Sequence, residues 1–290
     1  MLGGQLVFDG LAMGLVFVIL ATGMVLITSV SKILFMAYGV FYTIGAFTTW
    51  YAVHYLQIPY FAALLVGVLG SGILGILCYL LIFLRLQHIR GGFLATLIAS
   101  MGLLMLLNQS NLLIFGTSPR SIPNLFPTVL HLFGIRFATS KLILILLGII
   151  VTVILFWIYE KTAIGRQMRA VSFLPEAATL QGVNSKKIYM LSLGLGTALA
   201  GVAGAILAPI YGLNNTMGDD IIWTVMLMMM LGGMDSLLGA VVGGVIIGQL
   251  LSFGQFFIGS QIQIIIFIII GIVLYFKPTG LLGRGIDIGI

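Results

Sequence analysis

Apolar stretches of about 20 residues follow one another along the whole chain, and this repetition identifies its solvent before any other feature is read. A helix rises about 1.5 Å per residue, so each stretch reaches across most or all of a hydrocarbon core about 30 Å thick. The spans fall at 5–29, 33–54, 58–84, 92–115, 140–159, 188–210, 221–233, 237–254 and 261–276. Hydrophobic residues make up 61% of the 290 and charged residues 7%, whereas an ordinary globular domain is about a quarter charged. That much apolar surface has no place in one water-soluble core. The expected fold is all-α, a polytopic transmembrane helical bundle of about 8–9 membrane segments, some of them broken or short. The near-absence of period-two alternation argues against an outer-membrane barrel.

Charge orients such a chain. Its net +6 is read as topology, because basic residues concentrate on the cytoplasmic side of helical membrane proteins. With residues 160–187 in the cytoplasm, alternation puts Lys32, Arg85, Arg90, Lys161, Arg166, Arg169, Lys186, Lys187, Lys277 and Arg284 on that side. Arg120, Arg136 and Lys141 fall opposite. The N-terminus is then expected outside and the C-terminus inside. Cations scattered this thinly make no nucleic-acid stripe. The first apolar run begins near Met1 without a basic leader, which reads as a retained span. No extramembrane stretch is long enough to fold alone, so residues 1–290 are expected to form a single transmembrane domain, with a cytoplasmic segment at 160–187 and an outer loop at 116–140.

Residues 221–233 make only about 20 Å of helix, too short to cross alone, and with 237–254 they read as a broken, re-entrant-like pair. The turn between them, LGGMDSLLG, is expected at an interior surface, because non-helical backbone at membrane depth survives only where protein or water buries it. Small residues recur at spacing four, as in Ser192, Gly196, Ala200, Gly204 and Ala208, or Gly67, Ser71 and Gly75. Gly10 with Gly14 and Gly244 with Gly248 repeat the pattern. Such faces predict close helix packing, chiefly inside the chain. The loop 116–141 carries a short apolar segment suited to the interface. Asp219 and Asp220 are expected in an outer loop, with Asp220 capping the helix that follows. Asn108 to Asn111, NQSN, is the best intramembrane candidate for solute contacts, with interhelical hydrogen bonding equally open. Methionines 226–234 and Cys78 read as packing. His54, His88 and His131 have no carboxylate at ligand spacing, so no metal is expected.

The run EKTAIGRQMRAVSFLPEAATLQGVNSKK, residues 160–187, is neither apolar enough to span nor dotted with turn prolines. Pro175 suits a first helical position, Glu176 complements the positive helix end, Ala177 and Ala178 propagate the turn, and Gly182 suits a left-handed terminator. A helix of about seven residues does not hold its shape alone in water. It docks on another protein, or it lies on anionic headgroups drawn by its basic neighbours. The residues by themselves leave these two readings level.

The order GRQMRAVSFLPEAATLQGVNSKKIYMLSLGLGTALAGVAGAI resembles the cytoplasmic coupling segment and following helix of the permease subunits of branched-chain amino-acid ABC importers. TLIASMGLLMLLNQSNLLIFGTSPRSIP, LGGMDSLLGAVVGGVIIG and KPTGLLG are similar to other stretches of that family, so the likeness covers nearly the whole chain. It implies a transport subunit with no catalytic residues and no cofactor of its own. ATP and Mg would sit on two partner ATP-binding subunits, a second and diverged permease subunit would complete the path, and an external solute-binding protein would deliver solute. It also implies ATPase-coupling roles for Arg169, Ala170, Pro175, Glu176, Ala177, Ala178 and Gly182, and a bacterial or archaeal cytoplasmic membrane. No Gly-Lys pair occurs, so the phosphate-cradling loop of a P-loop ATPase is absent from this chain.

The chain departs from the family in FMAYG, where Phe35 and Tyr38 replace polar residues at the start of the second span. With Asn108 and Asn111 they are the candidate residues of the substrate path, where they would point to a more apolar or aromatic solute, and simple packing of Phe35 and Tyr38 between helices is equally open. Asp235 stands where the family has glycine, which bears on a tight turn there. The alternative function is a stand-alone secondary transporter or channel for small apolar or aromatic solutes, but such carriers place acidic or histidine residues near the midplane and this chain has hardly any.

Overall fold

The computed structural model describes residues 2–87, 92–122, 129–132 and 135–283. The expected spans appear as α1 (Leu2–Ser31), α2 (Tyr38–His54), α3 (Tyr60–Cys78), α5 (Gly92–Phe115), α6 (Thr139–Lys161), α9 (Ser185–Tyr211), α10 (Met217–Gly232), α11 (Leu237–Phe257) and α12 (Ile262–Phe276). A π-helical turn, Tyr79–Phe83, and α4 (Leu84–Leu86) carry α3 onward, so that Tyr60–Leu86 is one span. Two short helices, α7 (Ala163–Phe173) and α8 (Pro175–Leu180), lie between α6 and α9. Among the described residues six helices are long and apolar enough to cross a membrane, whereas α2, α10 and α12 have 17, 16 and 15 residues. The fold is a polytopic helical bundle. After α5, β1 (Val129–Leu132) and β2 (Ile135–Ala138) depart from it, pairing antiparallel with Val129 opposite Ala138.

Two boundaries differ from the sequence reading for local reasons. The second span begins at Tyr38 and not at residue 33, because Lys32 adopts a left-handed conformation, φ 54°, and its N–H closes on the Thr28 carbonyl at 3.1 Å to end α1. That conformation belongs to helix C-caps. In the other case α10 starts at Met217, so Asp219 and Asp220 occupy its first turn and neither is a cap in a loop. Carboxylates there complement the positive end of the helix dipole.

Contacts divide the chain into two compact units, one of Met1–Val25, Leu125–Ile150 and Trp223–Ile290, the other of Leu26–Asn124 and Val151–Ile222. In the second unit α2, α3 and α9 pack on one another through the predicted small residues. A Cβ at Gly45 would strike Gly201, one at Gly75 would strike Thr197, and one at Gly204 would strike the Tyr42 carbonyl. Ser192, Ala200 and Ala208 are buried on the same helix. In the first unit Gly248 meets Gly14, and Gly239 meets Gly232. Hydroxyls return to their own helices: Thr22 donates to Val18 O at 2.7 Å, Ser71 to Gly67 O at 2.9 Å and Thr197 to Leu193 O at 2.9 Å. Such back-bonding satisfies polar groups that lipid cannot.

The turn of the broken pair is built as predicted, on a glycine. Gly233 takes φ 110° and Ser236 caps α11 by accepting from Gly239 N at 3.0 Å. Asp235 keeps a negative φ, so its replacement of glycine leaves this turn unstrained. The KPTGLLG segment lies on the same turn. Leu281 N donates to Leu231 O at 2.7 Å and Leu282 N to Gly232 O at 3.1 Å, capping the last carbonyls of α10.

Helix glycines therefore fall into two kinds with opposite tolerance. Gly201→Val drives a branched side chain into Ser71 and the Gly67 carbonyl and is expected to cost about 3 kcal/mol or more. Gly102→Ala, with nothing within 4 Å of its Cβ, is expected to be neutral or to stabilise by up to about 1 kcal/mol. Thermal unfolding of the detergent-purified variants separates the two.

Candidate functional site

Residues 160–187 fold as a corner followed by two helices. Thr162 ends α6 and caps α7, its hydroxyl accepting from Gly165 N at 3.1 Å. Gly165, Met168 and Val171 recur at spacing three and are buried, while Arg166 and Gln167 face water. That pattern and the Thr162 cap were the signals for α7, which the sequence reading passed over in favour of the proline-led helix beyond it. α8 has the expected grammar: Pro175 at its first position, Glu176 in the first turn, and Gly182 at φ 83° beyond its end. The closing bonds, Gly182 N to Thr179 O at 3.0 Å and Val183 N to Ala178 O at 3.1 Å, are those of a glycine-terminated helix. The helix has six residues, one fewer than the sequence suggests.

The named residues of this segment face two ways. Ala178 is buried, whereas Ala170, Glu176, Ala177 and Gly182 are exposed and Pro175 is half-buried. Around α8, Phe173 is 64%, Leu174 66% and Leu180 90% exposed. Arg169 turns back into its own chain. Its guanidinium donates to the Tyr159 carbonyl and, at 3.2 Å, to the Glu160 carbonyl, and lies 5.2 Å from the Tyr159 ring centre. It caps the C-terminal end of α6, the favoured place for a cation. Gly165 permits this, because a Cβ there would strike the Tyr159 and Ile158 carbonyls. Ser172 donates to Ser29 O at 2.9 Å, tying α7 to the last turn of α1. A cleft of about 720 Å³ opens beside α8, lined by Lys32, Gln87, Glu176, Thr179, Asn184 and Tyr189 among others.

The candidate path residues form two groups. Phe35 and Tyr38 are wholly buried where α2 begins, with Phe35 ring centres 5.6 Å from both Phe41 and Phe83. Asn108 and Asn111 face the start of α10. Asn108 Nδ2 donates to Asp219 Oδ1 at 2.8 Å, Asn111 Nδ2 to Asn215 Oδ1 at 3.0 Å, and Asn215 Nδ2 to the Gly116 carbonyl. Asn215 carries no local signal in the sequence, and Asp219, expected in a loop, stands in the first turn of α10. Only the fold brings these residues against the NQSN stretch. Nearby, Arg120 stacks 5.1 Å over Trp50, and its backbone pairs with Leu213 at 2.8 and 3.0 Å.

The remaining candidates are dispersed. Met228 and Met229 are buried, whereas Met230 and Met234 are exposed, so the methionine run has no single face. Asp9 pairs with Lys141 at 2.7 Å. His54 stacks on Trp50. Among the described residues no group of His, Cys, Asp and Glu is placed to hold a metal. His88, Arg90, Arg284 and the side chains of His131 and Arg136 lie outside the described residues.

Long apolar helices packed through glycine, with a basic segment of short helices between them, define a multi-pass membrane protein. Residues 6–277 match the family described as branched-chain amino acid transport system / permease component, and the chain belongs to that family. It is 26% identical over 296 residues to the high-affinity branched-chain amino acid transport system permease protein BraD of Pseudomonas aeruginosa, covering 97% of this chain and 95% of that protein. To the corresponding LivH of Escherichia coli it is 23% identical over 300 residues, with the same coverage. A probable branched-chain amino acid transport permease protein LivH of Methanocaldococcus jannaschii is 31% identical over 159 residues, 52% of this chain and 49% of that protein.

Proposed function

We propose that the chain is the permease subunit of a binding-protein-dependent ABC importer that moves branched-chain or related apolar amino acids inward. The observation that carries the reading is α8: a helix of six residues beside a 27-residue span, with Phe173, Leu174 and Leu180 exposed around it in a basic segment. Such a helix needs a surface to sit on. An ATP-binding subunit supplies that surface and the energy, since this chain lacks a phosphate-binding loop. The family's transport role favours this partner over a lipid headgroup layer. ATP and Mg then belong to two such subunits. A diverged sister permease completes the path, and an external binding protein hands solute over. The membrane is a bacterial or archaeal cytoplasmic one, with the N-terminus outside and α7 and α8 inside, which agrees with the basic residues of 160–187.

The mechanism follows from what α7 and α8 touch. Closure of the ATPases moves α8 through its exposed face at Glu176, Ala177 and Leu180. The motion reaches α6 through Arg169 and Gly165, α1 through Ser172, and α9 through the short turn 181–184. Arg169 thus serves as the joint of the lever, while the ATPase covers the exposed residues. Phe35, Tyr38, Asn108 and Asn111 lie along the path that this lever opens.

Two predictions separate surface from joint. Leu180→Asp and the pair Glu176→Lys with Ala177→Lys are expected to weaken ATPase association by about tenfold or more, read as loss of the ATPase from complexes purified through this chain. Full retention of the ATPase with unchanged coupling refutes the docking role. Gly165→Ala and Arg169→Lys are expected to keep the ATPase bound while solute moved per ATP hydrolysed falls at least about fivefold, roughly 1 kcal/mol of lost coupling. Proteoliposome uptake with parallel phosphate release measures this ratio, and an unchanged ratio in both variants removes the joint from the mechanism.

A further inference from the structure

We infer that Thr43, Asn108, Asn111 and Asp219 form a recognition point for an ammonium group, the donor-rich head carried by an amino-acid solute. The choice of solute rests on the reading of the chain as an amino-acid permease; the site itself rests on hydrogen-bond direction.

A backbone carbonyl only accepts. The Gly116 carbonyl therefore faces the Asn215 Nδ2, which leaves the Asn215 Oδ1 to accept from Asn111 Nδ2 at 3.0 Å. Asn111 is consequently committed to presenting its own Oδ1 elsewhere. That oxygen is buried and has no partner among the described residues. A second rung obeys the same logic. An ionised carboxylate also only accepts, so Asp219 takes Asn108 Nδ2 at 2.8 Å, and the Asn108 Oδ1 is left buried and unmatched. The fixed acceptors at the ends of each rung set both amide orientations. Asn108 and Asn111 are three residues apart on one face of α5, and their partners Asn215 and Asp219 lie just before and within the first turn of α10.

Thr43 on α2 lies against the same end of α10. Its Oγ1 is a third buried polar atom without a partner among the described residues, and a Cβ built on Gly218, next to Asp219, would lie 2.5 Å from it. Thr43 and Asn111 are 0% and 3% exposed, and no basic side chain pairs with Asp219 among the described residues. Buried acceptors left unmatched are rare, because a folded chain normally supplies each with a donor. Two amide oxygens, a hydroxyl and a carboxylate together call for several N–H donors and a positive charge. An ammonium group supplies both, while a carboxylate or an aliphatic tail supplies neither. In this conformation the two amide oxygens and the Thr43 hydroxyl are sealed while Asp219 is half-buried, as a contact point on an alternating path is in one of its states.

The test is the thermal unfolding of the purified full-length chain in matched concentrations of methylammonium chloride, tetramethylammonium chloride and sodium chloride. Methylammonium offers N–H donors, tetramethylammonium the same charge without them, and sodium a bare cation. Methylammonium is expected to raise the melting temperature about 2–4 °C above both other salts. This increment should vanish in Thr43→Val, which removes one hydroxyl at constant shape, and in Asp219→Asn, which keeps an acceptor for Asn108 but removes the charge. An equal response to methylammonium and tetramethylammonium overturns the proposal. A sodium response as large as that of methylammonium makes the point a metal-cation site and overturns the ammonium assignment. An increment that persists in both variants places binding elsewhere, and failure of both to unfold cooperatively reduces the cluster to a folding requirement. None of these readings needs ATP or a partner, so failure here is distinct from failure of the importer reading.

Discussion

Lipid withholds hydrogen bonds, and most of this structure follows from that deprivation. With no water at membrane depth, each backbone segment must become helix, and each hydroxyl must find an acceptor within the protein. Thr22, Ser71 and Thr197 do so by bonding back to their own helices. Lipid also removes the usual reason for helices to associate, because a leucine gains nothing by leaving one hydrocarbon for another. Dispersion contact and short carbonyl approaches take over, and these require that Cβ atoms be absent where helices meet. Gly45 against Gly201 and Gly14 against Gly248 are this rule applied once in each compact unit.

The same rule explains which parts of the fold were legible in the sequence. Span positions were readable because an apolar run has one stable state in lipid, and α5, α6 and α11 begin within a residue of their expected starts. Helix pairing was readable from the spacing of small residues. The errors fall where a local conformation competes with hydropathy. Lys32 ends α1 in a left-handed conformation that nothing in its side chain announces. Met217 starts α10 early because the acidic pair after it favours a helix N-terminus as well as a loop. The hairpin Val129–Ala138 lies in a stretch whose apolar residues read equally well as an interfacial segment.

The candidate site was legible in part for a different reason. Pro175, Glu176 and Gly182 carry their instructions locally, and α8 obeys them. Arg169 and Asn108 do not, since their meaning depends on partners distant in sequence or direction. Hydropathy tells where Asn108 sits along a span, but Asp219 is 111 residues away and meets it only after α5 and α10 have packed. Beyond the coupling role that the family resemblance implies, Arg169 reads as one more cation in a basic run. Its role as a cap appears only when α7 folds back on α6, a step made possible by the missing side chain at Gly165.

Why an arginine stands at that corner follows from geometry. The carbonyls of Tyr159 and Glu160 are adjacent acceptors at a helix end, and a planar guanidinium reaches both while its face rests on the Tyr159 ring. A lysine ammonium carries the same charge on a flexible stem and satisfies a helix end as a point charge, without the fork that fixes an angle. A joint that must pass a rotation from a short helix to a long one needs a fixed angle more than it needs charge. In the docking proposed above, the exposed residues beyond the joint, Phe173, Leu174 and Leu180, have the opposite requirement, since a docking surface depends on area and not on direction. Within one stretch of sequence, directional bonding is therefore confined to the side that faces this chain, and large apolar side chains are left exposed on the other.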